Sequence, residues 1–364
     1  ISDERRLLYV ALTRARKEVV LTYATHGTSG RELLPSRFVE EIDKELVRVG
    51  KEKSGSPNIF PDARKMGGVG QSFSDGQTPD AEQPSDTKLS VQNREYLSGL
   101  FLEHGFSISA LNNYMACPWQ FFFLNLIRIP RSEGRFQLYG TAVHESLKVF
   151  FDAYKNENLM SKKDLLGFFE KFLNRKALSV HDYGLFLEKG KKSLGGYYDT
   201  YKNTWPKNIF NEFKISGVYI PIESAGKPVN ILLRGQLDRV EFLDGATVNV
   251  VDYKTGIPRS RRDIEGDTKN SDGNYKRQLI FYKLLLEKFD PARFSMKTGE
   301  IDFVEPNKRG KYKRERFEIT EREVAELVGV LKKAALEILA LSFWNKTCED
   351  PDCEFCGMRR LLGV

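Results

Sequence analysis

Apolar positions change their period several times along this chain. Between Gln137 and Tyr154, the residues Val143, Leu147, Phe150 and Phe151 recur every three or four positions, the spacing of one helix face. Residues 209–222, 229–243 and 246–254 are instead rich in Ile, Val, Phe and Leu and predict three strands. The turn around Ser224-Ala225-Gly226-Lys227 joins the first two, and Asp244-Gly245 is a hairpin turn for the second pair. Tyr275 to Phe289 reads as a further helix, and 300–305 and 315–319 as short strands. A last helix starts at Thr320, with Glu323 completing a capping box, and runs to about Leu341. The predicted core order is helix, three strands, helix, strand, with no internal repeat.

The pattern also divides the chain. Residues 1–48 read as a helix followed by a short apolar strand, and the sequence opens at Ile1 inside an element, as a fragment would. From Gly50 to Ser90, 16 of 41 residues are Gly, Pro or Ser. Such a stretch buries too little apolar surface to offset its ordering entropy, so 49–94 is expected to be a flexible linker. Residues 95–364 return to globular composition.

Composition narrows the function classes. The 364 residues are ample for a packed core. The longest apolar run, Phe121 to Leu124, is far short of the roughly 18 residues of a membrane span. The first residues, Ile1-Ser2-Asp3-Glu4-Arg5-Arg6, carry mixed charge and no apolar signal segment. A formal net charge of +7 fits a polyanion partner without requiring one. Four cysteines suit a reducing cytoplasm.

Chemistry concentrates at Val250-Val251-Asp252-Tyr253-Lys254-Thr255-Gly256. On a strand, Asp252 and Lys254 share a face and Tyr253 takes the other. A carboxylate and an ammonium together suit metal-assisted phosphodiester cleavage, although an ordinary ion pair reads the same. Asp238 changes the balance. It lies on an otherwise apolar strand that the Asp244-Gly245 turn brings alongside Asp252, and two carboxylates meeting there favour a bridging cation such as Mg²⁺. His144 follows small residues on a predicted helix. Gln278 and Tyr282, spaced i and i+4, share another helix face.

Together, Gly140…His144, Arg234-Gly235…Asp238-Arg239, Asp252-Tyr253-Lys254-Thr255-Gly256 and Gln278…Tyr282 resemble the PD-(D/E)XK nucleases, most closely the RecB/AddB-like branch. The resemblance covers about residues 105–364. It implies an α/β fold of restriction-endonuclease type, a central mixed sheet flanked by helices with helical additions. It further implies a Mg²⁺- or Mn²⁺-dependent DNA nuclease acting on single-stranded or duplex ends. Asp238, Asp252 and His144 would be its metal residues, Lys254 the catalytic lysine, and Gln278 and Tyr282 DNA contacts. Arg259, Arg261 and Arg262, leaving the strand that carries Lys254, are expected to track phosphates; the basic run Lys308–Arg314 fits that role or a solvated loop. A DNA-binding clamp without cleavage is the competing reading.

Cys117, Cys348, Cys353 and Cys356 suggest a metal site rather than disulfides. In the same nuclease branch, one early and three late cysteines hold a 4Fe-4S cluster, which the resemblance implies here with Zn²⁺ as the alternative. The late spacing departs from the branch pattern C-x2-C-x5-C: Leu362 stands where its last ligand would fall, and Cys348 lies on the other side. Finally, Asp3 to Arg16 resembles the last motif of UvrD-type helicases, in which Arg14 would reach the ATP γ-phosphate. No G-x-x-x-x-G-K-[ST] loop occurs in the chain, so ATP use would need helicase domains beyond it. The expected whole is a helicase–nuclease that processes DNA ends in recombinational repair, alone or with a second helicase–nuclease subunit.

Overall fold

The computed structural model describes residues 94–362, apart from 157–159 and 270, together with Val19 and Leu21. The expected helicase remnant with Arg14 lies outside the described residues but for those two positions, as does the linker but for Arg94. Three helices come first: α1 (Arg94–His104), α2 (Ile108–Ala116) and α3 (Pro118–Phe121), the last continuing as a wider turn over Phe122–Leu126. Next are α4 (Arg135–Lys155), α5 (Lys162–Leu173) and α6 (Val180–Tyr201). The sequence pattern foretells α4 to within two residues at its start, but not α5 or α6. Four glycines, at 184, 190, 195 and 196, weaken the helical signal of α6. Gly190 has a packing reason: a Cβ there would lie 2.1 Å from the Phe169 ring, so glycine lets α6 settle on α5.

The sheet follows. β1 (Ile209–Ser224) and β2 (Lys227–Asp244) form a long antiparallel hairpin whose turn residues, Ala225 and Gly226, have φ of 51° and 72°. Two positive φ angles are what a two-residue hairpin turn of type I′ requires. The ladder is interrupted once, by a bulge between Ile215 and Val218. β2 turns through Gly245 into antiparallel β3 (Thr247–Lys254). The chain then crosses by α7 (Arg261–Glu265) and α8 (Asn274–Phe289) to β4 (Ser295–Phe303), parallel to β3, and β5 (Lys313–Glu318) closes the sheet in the order β1-β2-β3-β4-β5. β4 starts five residues before the expected strand. α9 (Glu321–Leu339) carries the expected Thr320/Glu323 capping box, and α10 (Glu354–Leu362) ends the described residues.

Helices cover both faces of this mixed sheet, giving an α/β fold. On one face, α8 approaches closely because glycines lie beneath it. A Cβ on Gly235 would sit 2.6 Å from Leu285 Cδ1, and one on Gly299 would sit 3.0 Å from Leu279. α1–α3 and α9 join that core through Phe101, Trp119, Phe121 and Leu331. On the other face, Tyr139, Val143, Leu147, Phe150 and Phe151 of α4 pack with Val251 and Tyr253 of β3 and with α5 and α6. Each such fully buried side chain contributes about 1.5–3 kcal/mol. Among the described residues, no helix is long and apolar enough to cross a membrane.

Candidate active site

The β2–β3 ladder stops at Arg239↔Val251. One residue further on each strand stand Asp238 and Asp252, where the strands begin to part. Asp238 completes the edge itself: its Oδ2 accepts the Tyr253 backbone N–H at 2.8 Å. Its other oxygen, Oδ1, faces His144 Nδ1 of α4 at 3.4 Å. Across the parting, the Lys254 ammonium lies 2.6 Å from Asp252 Oδ2 and donates to Gln278 Oε1 at 2.8 Å. Gln278 in turn donates to Tyr282 Oη at 2.6 Å, and Tyr282 donates to Asp252 Oδ1 at 3.2 Å. Asp238, Asp252, Lys254, His144, Gln278 and Tyr282 thus come together, α4 supplying one side and α8 the other.

Glu212 of β1 is the member that sequence reasoning missed. Its carboxylate, the His144 imidazole and the Asp238 carboxylate offer three ligand atoms within 4.8 Å of one another. It accepts a hydrogen bond from Gln236 Nε2, and its backbone is left-handed at φ 49°. The four side chains Glu212, His144, Gln236 and Thr255 line a cleft of about 640 Å³ on the α4 side. Tyr275 was also unforeseen: Lys254 Nζ and Arg259 Cζ each lie 4.7 Å from its ring centroid.

Charge in the site is unbalanced. Burial alone would favour neutral imidazole, yet Asp238, Asp252 and Glu212 push His144 up to about 9. Burial raises the Asp252 carboxyl, Lys254 opposing and Asp238 reinforcing, so it stands above the ordinary range. Burial acts on Asp238 in the same sense, but His144, the Tyr253 N–H and Lys254 carry it below that range. Asp252 is 1% exposed, and its Oδ2 meets the lysine off the line of a hydrogen bond. Three carboxylates against one lysine and one histidine, with a buried oxygen short of a hydrogen bond, are a donor set that fits a hard divalent cation.

A model of the PD-(D/E)XK nuclease superfamily matches residues 105–361, which include every one of these side chains. The chain belongs to the PD-(D/E)XK nuclease superfamily. A candidate exonuclease from Eubacterium rectale is similar in structure, with 12% identity and a TM-score of 0.41 over 75% of this chain and 93% of that one. A second likeness is short. A probable DNA helicase II homologue of Mycoplasma capricolum is 51% identical over 49 residues, 13% of this chain and 7% of that protein's length.

Around the site of this superfamily member, the basic residues sort by their partners. Arg261 is held by Glu265, Glu315 and the Arg316 carbonyl and lies 4.1 Å from the Phe317 ring centroid, which suits a structural brace. Arg262 reaches the Asp267 carbonyl at 3.4 Å, and Arg259 stacks on Tyr275. Within the 308–314 run, Tyr312 donates to the Ser193 carbonyl and Arg314 pairs with Asp302, so the end of that run is built into the fold. Arg128 and Arg234 were not singled out as anion contacts. They share a separate cleft of about 410 Å³ with Ser107 and Asn125, and neither has an acidic partner among the described residues. Burial, then the Arg128 charge, lowers the Arg234 guanidinium.

The four cysteines also converge. Cys117 precedes α3, Cys348 and Cys353 lie in the segment after α9, and Cys356 is in α10. All four sulfurs lie within 4.8 Å of one another, Cys348 included despite its displaced position in sequence.

Proposed function

We propose that this domain is a metal-dependent deoxyribonuclease that degrades single-stranded DNA exonucleolytically from ends. The observation that carries the reading is the meeting of Asp238, Asp252 and Lys254 where β2 and β3 part, in a member of a nuclease superfamily. Asp238 and Asp252, with His144 and Glu212, would hold Mg²⁺ or Mn²⁺. When bound, the cation supplies Lewis-acid stabilisation of phosphate charge and a more acidic water. Lys254 presents its ammonium beside Asp252, able to orient an attacking water and to offset charge developing on the phosphate. Gln278 and Tyr282 fix that ammonium and Asp252 in place; Gln278 would contact the DNA strand, whereas Tyr282, expected to do the same, is buried and serves only to hold Asp252. Arg259, Arg128 and Arg234 would follow the phosphate backbone.

A helicase motor supplying the strand fits the Asp3–Arg16 motif, with Arg14 at the ATP γ-phosphate, and is supported by the 49-residue likeness to a probable helicase II homologue. ATP would then act only through helicase domains outside this chain.

The test is digestion of 5′-end-labelled single-stranded DNA with Mg²⁺, with EDTA, and with Asp252→Ala and Lys254→Ala. Each substitution should reduce cleavage about 10²–10³-fold, the scale of one lost electrostatic stabiliser, while DNA affinity changes little. Robust cleavage by Asp252→Ala would sink the assignment. Tight binding without any cleavage by the unaltered protein would favour the clamp.

A further inference from the structure

The sulfurs of Cys117, Cys348, Cys353 and Cys356 are closer together than a 4Fe-4S cluster allows. Cys117 and Cys356 are separated by 3.7 Å, Cys348 and Cys356 by 3.7 Å, and Cys353 and Cys117 by 3.8 Å. No pair among the four exceeds 4.8 Å. Four ligands arranged tetrahedrally at about 2.3 Å from one ion are about 3.8 Å apart, the tetrahedron's edge being its centre-to-vertex distance times √(8/3). In a cubane each thiolate binds its own iron, and the sulfur–sulfur distance grows by the whole iron–iron spacing. Since that spacing is longer than one metal–thiolate bond, the thiolates would stand more than roughly 6 Å apart.

The surroundings hold this narrow spacing. Cys348 and Cys356 lie on one short loop-and-helix segment, whose turn is tied by the Cys353 N–H to the Asp350 carbonyl and the Gly357 N–H to the Cys353 carbonyl. Trp119 Nε1 donates to the Lys346 carbonyl at 2.9 Å, which fixes the strand of chain bearing Cys348 against the helix that follows Cys117. Phe355 stacks on Phe123 with centroids 6.4 Å apart, securing α10 on the same side. Cys117 and Cys356 are buried. Backbone N–H groups of Gln120 and Trp119 face Cys117, and those of Cys356 and Phe355 face Cys353, donors that metal-bound thiolates can accept.

We propose that these four cysteines bind one tetrahedral Zn²⁺ ion, not an iron–sulfur cluster. A closed tetrathiolate site of this kind is structural: it leaves no open coordination position for a reaction. The ion is redox-inert, so the domain is colourless and its integrity does not depend on an iron–sulfur oxidation state.

The experiment is metal analysis of the whole chain, produced in medium supplemented with both iron and zinc and purified anaerobically. One zinc per chain, no visible absorption, and a zinc X-ray absorption spectrum with a single sulfur shell at about 2.3 Å are expected. Titration with a mercurial thiol reagent should release that zinc in step with the blocking of four thiols. Cys348→Ser should cut zinc content severalfold, and the unaltered protein carries the test if that variant fails to fold. A brown protein with iron and sulfide in equal amounts, or four reactive thiols with no metal, would overturn the proposal. None of these readouts depends on DNA cleavage.

Discussion

Glu212 holds a backbone conformation that L-residues rarely adopt, at a cost on the order of 1–3 kcal/mol. That strain persists where it aims a carboxylate at His144 and Asp238. Glu212→Gln keeps the size and the Gln236 hydrogen-bond partner but removes the charge. The Mn²⁺ concentration for half-maximal cleavage should then rise about tenfold or more, read from a metal titration at fixed DNA; an unchanged requirement would remove Glu212 from the metal set. Single residues were legible in the sequence where the argument was local. Asp252 and Lys254 share a strand face by simple alternation, and Gln278 and Tyr282 share a helix face by i, i+4 spacing. Glu212 was not legible, because nothing near it in sequence says what stands opposite.

The reason appears at the scale of elements. The β1–β2 ladder leaves its turn as Ser224↔Lys227 and reaches Val218↔Leu233 in the same register. Continued unchanged, it would set Phe213 opposite Asp238. The bulge between Ile215 and Val218 shifts the register by one, so Phe213 pairs with Leu237 and Glu212 comes to Asp238. Hairpins and the larger helices could be read from period and turn residues; a bulge that re-aims one carboxylate could not. α6 escaped because Gly190 and Gly196, which sit against Phe169 and Tyr312, answer to packing rather than propensity. A second element-level consequence concerns α9, whose cap residue Glu323 also pairs with Lys276 of α8 at 2.7 Å. Burial raises the Glu323 carboxyl, but Lys276 and the Thr320 groups outweigh it, and the net direction is down. A depressed folded-state value means stability present above the ordinary carboxylate range and lost as pH falls through the folded value. Glu323→Gln should therefore cost about 0.5–1 kcal/mol at pH 7, and the gap should close below about pH 4 in urea unfolding.

At the scale of the molecule, net charge says little, but the placement of unpartnered cations says more. Arg128 and Arg234 face one cleft without a carboxylate between them, an arrangement that a phosphate would relieve. If both meet the DNA backbone, replacing each with alanine should weaken single-strand binding uniformly across sequences. It should also reduce the salt slope of affinity by about 0.7 per arginine, measured by fluorescence anisotropy across an ionic-strength series. An unchanged slope would free this cleft for another anion.

The cysteines have a topological meaning as well. Cys117 and Cys356 are 239 positions apart, so any shared ligand closes a ring that contains the entire sheet and both helices that flank the candidate site. An unfolded chain so fastened can explore far fewer arrangements, worth on the order of 5 kcal/mol if the clasp held as firmly as a covalent link. A break in any loop inside that ring would leave its two pieces still joined.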